Sequence, residues 1–152
     1  MKRIETRTHI VGRQPAAVAA ALLAPDNAVK WQSNLERCDI VAGRPGEVGA
    51  KTHLYFASPG GRHMMEEVLE CAETGRRYVS RITGDGMIVK VETLLTATPQ
   101  GTQLTVLWSA SSPSLWHRLL LRIARTAIAE RAVIDMQKFK QLVEAPDSSK
   151  GQ

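Results

Sequence analysis

Residues 113–145 read PSLWHRLLLRIARTAIAERAVIDMQKFKQLVEA, a stretch with no glycine and with no proline after Pro113. Leu121, Ala124, Ile128, Ala132, Met136, Phe139 and Val143 recur at helical spacing, which predicts one long amphipathic helix. Everything before it reads mainly as strands. A sheet followed by one long helix buries one against the other, and a curved sheet leaves room between them for a small molecule.

Working back from the helix, residues 102–110 and 87–98 are strands joined through Pro99-Gln100-Gly101. Gly84-Asp85-Gly86 is a hairpin turn leading back to residues 77–83. Residues 62–72, 51–57 and 37–42 are further strands, separated by Ser58-Pro59-Gly60-Gly61 and Arg44-Pro45-Gly46-Glu47-Val48-Gly49. Short turns between successive strands imply an antiparallel meander. At the start, Ile4, Thr6, Thr8 and Ile10 alternate with Arg3, Glu5, Arg7 and His9, a strand with one face toward a core. Pro15 suits the first turn of an alanine-rich helix that Pro25 ends, and Asp26 or Asn27 can cap a second short helix through Trp31. The expected fold class is α+β: a curved antiparallel sheet of about seven strands, two short helices after the first, and the long C-terminal helix. Residues 1–146 are expected to form a single domain, with 147–152 a polar tail.

With 152 residues, 43% of them hydrophobic and 23% charged, the chain suits a soluble globular protein. No apolar run approaches the ~20 residues of a membrane span, and residues 1–12 alternate polar with apolar rather than forming a signal segment. Cys38 and Cys71 have no metal-ligand spacing and sit in strand contexts, so a cytoplasmic setting is expected. The four histidines (His9, His53, His63, His117) have no HxH or HExxH spacing, and no metal or cofactor is expected. The net charge of +5 comes without a recognition motif and with only 5% aromatic residues for stacking, so nucleic acid is not an expected partner. Trp116, beside Arg118, Arg122 and Arg125, allows a weak membrane-surface contact, against the plainer reading of a helix end on the sheet rim.

Alternation assigns the strand faces. Charge at Lys90 and Glu92 turns Val89, Val91 and Thr93 inward, and the same argument chooses Thr52, Leu54 and Phe56, then Tyr78 and Ser80; in the last strand Val106 and Trp108 belong to the better apolar face. These oppose Ile128, Ala132, Met136 and Phe139 of the long helix. His9 and His53 fall on outward faces by this rule. In residues 64–73 both sets carry two glutamates, so alternation does not choose: Met64, Glu66, Val68, Glu70 and Ala72 against Met65, Glu67, Leu69, Cys71 and Glu73.

The order of elements resembles the START-like helix-grip superfamily, which includes polyketide cyclase/dehydrase-like proteins and the birch pollen allergen family. Ile10, Pro15-Ala16-Ala17-Val18, Trp31, Gly46-Glu47-Val48-Gly49-Ala50-Lys51-Thr52 and Thr98-Pro99-Gln100-Gly101-Thr102 carry the resemblance, over about residues 3 to 145. The resemblance implies a helix-grip fold. It also implies an acidic side chain in the cavity, which by overlay is Glu66, with Met64 and Val68 beside it. The chain departs from the pattern at Gly43-Arg44-Pro45-Gly46, which is short and holds an arginine where relatives carry a glycine-rich loop.

Three functions follow as expectations. The first is binding of a small hydrophobic or amphipathic ligand (lipid, polyketide-like or aromatic), oriented by Glu66, Tyr78 and Ser80. The second is a cyclase/dehydrase-like or hydrolytic enzyme with Glu66 as acid/base and Tyr78 polarising a carbonyl. The third is a protein-interaction module using an exposed sheet face or the Trp116 end. Asp135 is expected beside the inner edge of the helix, paired with Arg131 or Lys138 or facing the cavity as a second carboxylate.

Overall fold

The structure is a computed structural model. It describes residues 2–58, 60–111 and 114–146, and within these the side chains other than Lys2, Ile4, Ser58 and those of residues 116–118, 120–125, 127 and 128. The contact expected at Trp116 and its arginines, the apolar positions Leu121 and Ala124, the inward position expected of Ile128, and the tail 147–152 therefore lie outside what is described.

The elements run β1 (Lys2–Val11), α1 (Pro15–Leu23), α2 (Pro25–Trp31), β2 (Leu35–Ala42), β3 (Lys51–Ser58), β4 (Gly61–Glu73), β5 (Arg77–Gly84), β6 (Met87–Thr98), β7 (Gly101–Ser111) and α3 (Leu115–Glu144). All strands join one antiparallel sheet in the order β1-β7-β6-β5-β4-β3-β2. The meander thus closes with the first strand laid against the last. Asp85 and Gly86 both have positive φ, 50° and 73°, the backbone of a tight two-residue hairpin. Pro15 and Pro25 each open a helix, where the missing N–H costs no hydrogen bond. Neither helix has a side-chain cap, so the capping role expected of Asp26 or Asn27 is not filled: Pro25 itself starts α2 and Ala24 precedes it.

The core lies between the concave sheet face and the C-terminal half of α3. Phe139 and Leu104 are its largest fully enclosed side chains, joined by Val11, Val18, Val106 and Met136. The Trp31 ring meets Phe139 edge-on, with centroids 5.2 Å apart at 64°. Two polar tethers fix this half of α3. The Ser33 N–H donates to Asp135 Oδ1 at 3.1 Å, and the Ser33 hydroxyl donates to the same oxygen. At the helix C-terminus, Arg13 donates to the Glu144 carbonyl at 2.9 Å, and the Gly12 N–H donates to Glu144 Oε1 at 2.9 Å. A guanidinium on these terminal carbonyls satisfies acceptors that have no partner inside the helix.

Two strand faces differ from the sequence expectation. On β1, Glu5, Arg7 and His9 stand opposite Trp108, Val106 and Leu104, so the charged set shares their face. Thr6, Thr8 and Ile10 are the exposed set. His9 is therefore an inward residue, and burial, with the Arg7 and Lys140 charges behind it, holds its imidazole below the usual range. The reason is position. β1 is an edge strand, and there Glu5 offsets Arg7 at 3.2 Å, so a charged face is tolerated where the core thins out.

The second difference is in β4. A bulge between Leu69 and Cys71 shifts the β4–β5 register: Leu69 pairs with Ser80, but Cys71 pairs with Val79 and Ala72 with Tyr78. The inward set is Met65, Glu67 and Leu69, then Ala72. Neither alternating set runs through the whole strand, which is why counting glutamates on each could not choose between them.

Candidate functional site

A cavity of about 230 Å³ opens between the concave face, α1–α2 and α3. The β3–β4 hairpin and the bulge decide what faces it. Ser58 pairs with Gly61, so every even-numbered residue of β3 stands opposite an odd-numbered residue of β4. Thr52 and Leu54 line the wall, and Glu67 and Leu69 line it beside them. β2 contributes Cys38 and Ile40, β5 contributes Tyr78, Ser80 and Ile82, and the last two strands add Val91, Thr93, Val106 and Trp108. Opposite stand Met136 and Asp135 of α3 and Trp31 of α2. Leu22, Leu23 and Pro25 face Pro45 and Gly46 of the β2–β3 loop across one side.

The acid that the sheet presents to this cavity is Glu67, not Glu66. Glu66 lies on the convex face, where Lys51 approaches it at 3.6 Å and His53 at 3.1 Å. Met64, 43% exposed, and Val68 share that face. Counted back from the inward Ala72 with an unbroken period of two, Glu66 would be internal; the bulge gives that place to Glu67. Burial pushes the Glu67 carboxyl above the usual range, and a hydrogen bond from Ser80 pulls the other way with smaller effect. Cys38 is pushed up to about 11, by burial first and then by the Glu67 and Asp39 charges, so its thiol stays protonated and unreactive at neutral pH.

Of the other expected site residues, Thr52, Leu54, Tyr78, Ser80, Val91, Thr93, Val106, Trp108 and Met136 line the cavity. Phe56 lies on the same face but beyond the wall, its ring stacked on His63 at 5.6 Å. Val89 is also on that face, opposite Ile82 and Ala110, outside the lining. Ala132 and Phe139 are solid core rather than cavity wall. Asp135 does reach the cavity, but as the acceptor for Ser33 and not in an ion pair along its own helix. Tyr78 presents its ring to the cavity, while its oxygen accepts the Gly75 N–H at 2.8 Å. Glu66 and Tyr78 therefore do not converge on one point, and the acid/base pairing expected of them has no shared locus. Among the described residues no group of histidine, cysteine and acidic side chains is arranged to hold a metal ion. Among them, too, no helix is long and apolar enough to cross a membrane.

Sequence reasoning missed Glu67, Leu69, Cys38, Ile40 and the α1 residues Leu22 and Leu23 as cavity wall. The signal for Glu67 was present: a two-residue hairpin loop after Ser58, taken with the inward choice of Thr52, puts Glu67 inward by register alone.

Because Glu67 is desolvated at the cavity wall with one hydroxyl partner, its charge works against the fold. The protonated form favours the native state, an advantage complete below the ordinary value of 4.5 and lost as pH rises through the raised native pKa. Glu67→Gln should therefore stabilise the ligand-free protein near pH 8 by on the order of 1 kcal/mol, about 2–4 °C in Tm. Thermal melts across a pH series should show the gain shrinking toward pH 4.5; a gain independent of pH would contradict the assignment.

A curved antiparallel sheet gripping a long C-terminal helix, with a largely apolar cavity between them, defines a helix-grip protein. The family described as polyketide cyclase / dehydrase and lipid transport matches residues 1–144, and the chain belongs to that family. Solved structures share the architecture. A Chromobacterium violaceum protein superposes with a TM-score of 0.73 at 17% identity, covering 94% of this chain and 98% of that one. A Rhodobacter sphaeroides protein gives 0.75 at 16% identity, covering 93% and 92%. The structure of Ara h 8.0201 gives 0.67 at 13% identity, covering 91% and 95%. At these identities the likeness is one of fold. The comparison with curated proteins finds no match. Family and fold together fit hydrophobic-ligand binding.

Proposed function

We propose that the protein binds a compact hydrophobic or amphipathic small molecule in the cavity between sheet and α3. The observation that carries this reading is the lining: Leu54, Leu69, Val91, Val106, Trp108 and Met136 form apolar walls, interrupted by a few polar groups at Glu67, Ser80, Thr52 and Thr93. Wide apolar walls with sparse orienting groups are the ordinary make-up of a small-molecule site. Burial of ligand surface supplies the driving force, at roughly 25 cal/mol per Å².

Size narrows the ligand. A cavity of about 150 Å³ already holds benzene, and drug-sized ligands use about 300–1,000 Å³. The volume of about 230 Å³ suits one or two rings, or a short acyl chain, rather than a diacyl lipid. A cytoplasmic setting, where the free thiols of Cys38 and Cys71 stay reduced, belongs to the same reading.

The test is titration of the purified protein with an environment-sensitive dye and a panel of small aromatic and short-chain compounds. Saturable one-to-one binding is expected. Val91→Trp, which fills the wall at mid-sheet, should weaken it by more than about tenfold, or 1.4 kcal/mol. Val68→Trp, on the convex face, should leave it unchanged, with circular dichroism confirming that both variants fold. Absence of binding across the panel would overturn the proposal.

A further inference from the structure

We infer that the ligand is a compact hydrophobic amine whose protonated nitrogen meets the Glu67 carboxylate, and that hydrophobic acids of the same size are refused. This rests on the binding reading above and names the ligand class.

The argument is one of charge and hydrogen-bond capacity. Among the described residues lining the cavity, Glu67 and Asp135 are the acids, and no lysine, arginine or histidine accompanies them. Asp135 already takes two hydrogen bonds, the N–H and the hydroxyl of Ser33, both on Oδ1. Glu67 has the Ser80 hydroxyl. An ionised carboxylate offers about four lone-pair sites, so Glu67 retains acceptor capacity that the surrounding wall leaves to the cavity's occupant.

An ammonium group fits this in two ways. It brings two or three N–H donors to the free lone pairs, and it neutralises a charge the protein otherwise encloses without a cation. Its carbon skeleton would lie on Leu54, Leu69, Val91, Val106 and Trp108. A carboxylate, sulfate or phosphate head would instead face Glu67 and Asp135 with no described cation to receive it. A neutral alcohol could donate one hydrogen bond but would leave the charge unpaired.

Three molecules sharing one skeleton test this on the unmodified full chain: 2-phenylethylamine, 2-phenylethanol and phenylacetate, titrated calorimetrically near pH 7.5. The amine should bind about tenfold tighter than the alcohol or better, as expected when a hydrogen bond is charge-assisted, and phenylacetate should show no saturable binding. Glu67→Gln should remove the amine's advantage, so that amine and alcohol bind the variant within about twofold of each other. If the alcohol or the acid matches the amine in the unmodified protein, the inference is overturned while ligand binding stands. If the dye binds but the amine does not, the inference again falls alone. If neither binds, both readings fall. The comparison needs no variant, so a folding defect in Glu67→Gln would not shield the inference.

Discussion

Phe139→Ala is expected to lower stability by about 3–5 kcal/mol, the range for removing a large aromatic side chain from a filled core. Phe139 is 0% exposed and is the largest fully enclosed side chain of the molecule's described part. Its ring meets Trp31 edge-on, so the substitution also removes an aromatic contact worth about 0.5–1.5 kcal/mol beyond area. Collapse cannot recover much of this. Asp135 and Glu144 pin the helix on either side of Phe139 through Ser33, Gly12 and Arg13, so the backbone cannot settle inward to close the gap. Urea denaturation with an unchanged m-value should report the loss; a change below about 1 kcal/mol would show that the tethers do not hold α3 as described. The vacated space would border Trp31, which itself lines the cavity, so variant protein that still folds should have a larger cavity than the parent.

Gly101→Ala is the second large expected loss. Gly101 has φ of +133°, a conformation that side chains with a Cβ rarely adopt. An added Cβ would press into the Val11 carbonyl oxygen and stand 2.9 Å from the Arg13 nitrogen, both of them backbone atoms. Nothing flexible can give way. The neighbourhood is stitched as well: the fully enclosed Thr102 hydroxyl donates to the Arg13 carbonyl at 2.7 Å, and the Arg13 N–H donates to the Val11 carbonyl at 2.8 Å. A shift of residues 11–13 would also loosen the Arg13 hold on the end of α3. Strain and displaced hydrogen bonds together should cost about 3 kcal/mol or more, read as a Tm lowered by at least about 6 °C. A variant as stable as the parent would mean that the β6–β7 turn and the β1–α1 turn are not in such close contact.

The parts of this fold that are legible in the sequence are those governed by unbroken periodicity. The long helix declares itself through 33 residues without glycine, and the structure places it at Leu115–Glu144. The turns at Gly84-Asp85-Gly86 and Pro99-Gln100-Gly101 mark hairpins because few residues accept their backbone angles. Alternation gave the right face on β3, β5, β6 and β7, where one side of the sheet is core and the other solvent. It failed where that premise fails. On β1 the core is thin enough at the sheet edge for Glu5 and Arg7 to face inward as a pair. On β4 the extra residue of a bulge breaks the period of two, and nothing in the composition of that strand announces it. The site was accordingly legible as a wall of apolar residues and not as chemistry. Tyr78 faces the cavity as expected, but no periodicity could reveal that Gly75 holds its oxygen.

The bulge at Glu70 has a bearing on how this protein compares with its relatives. Glu66 and Glu67 are adjacent, and which of them is internal depends on counting from the β3–β4 hairpin and not through the strand from its far end. A relative lacking the extra residue, aligned without a gap from its C-terminal side, would place its counterpart of Glu66, the surface partner of Lys51 and His53, in the column of the internal Glu67. A column of shared acids there would then mix two unlike things: a group that faces the cavity, and one that ties neighbouring strands together on the convex face. A single-residue gap in one strand therefore decides which of two adjacent glutamates is set against the cavity.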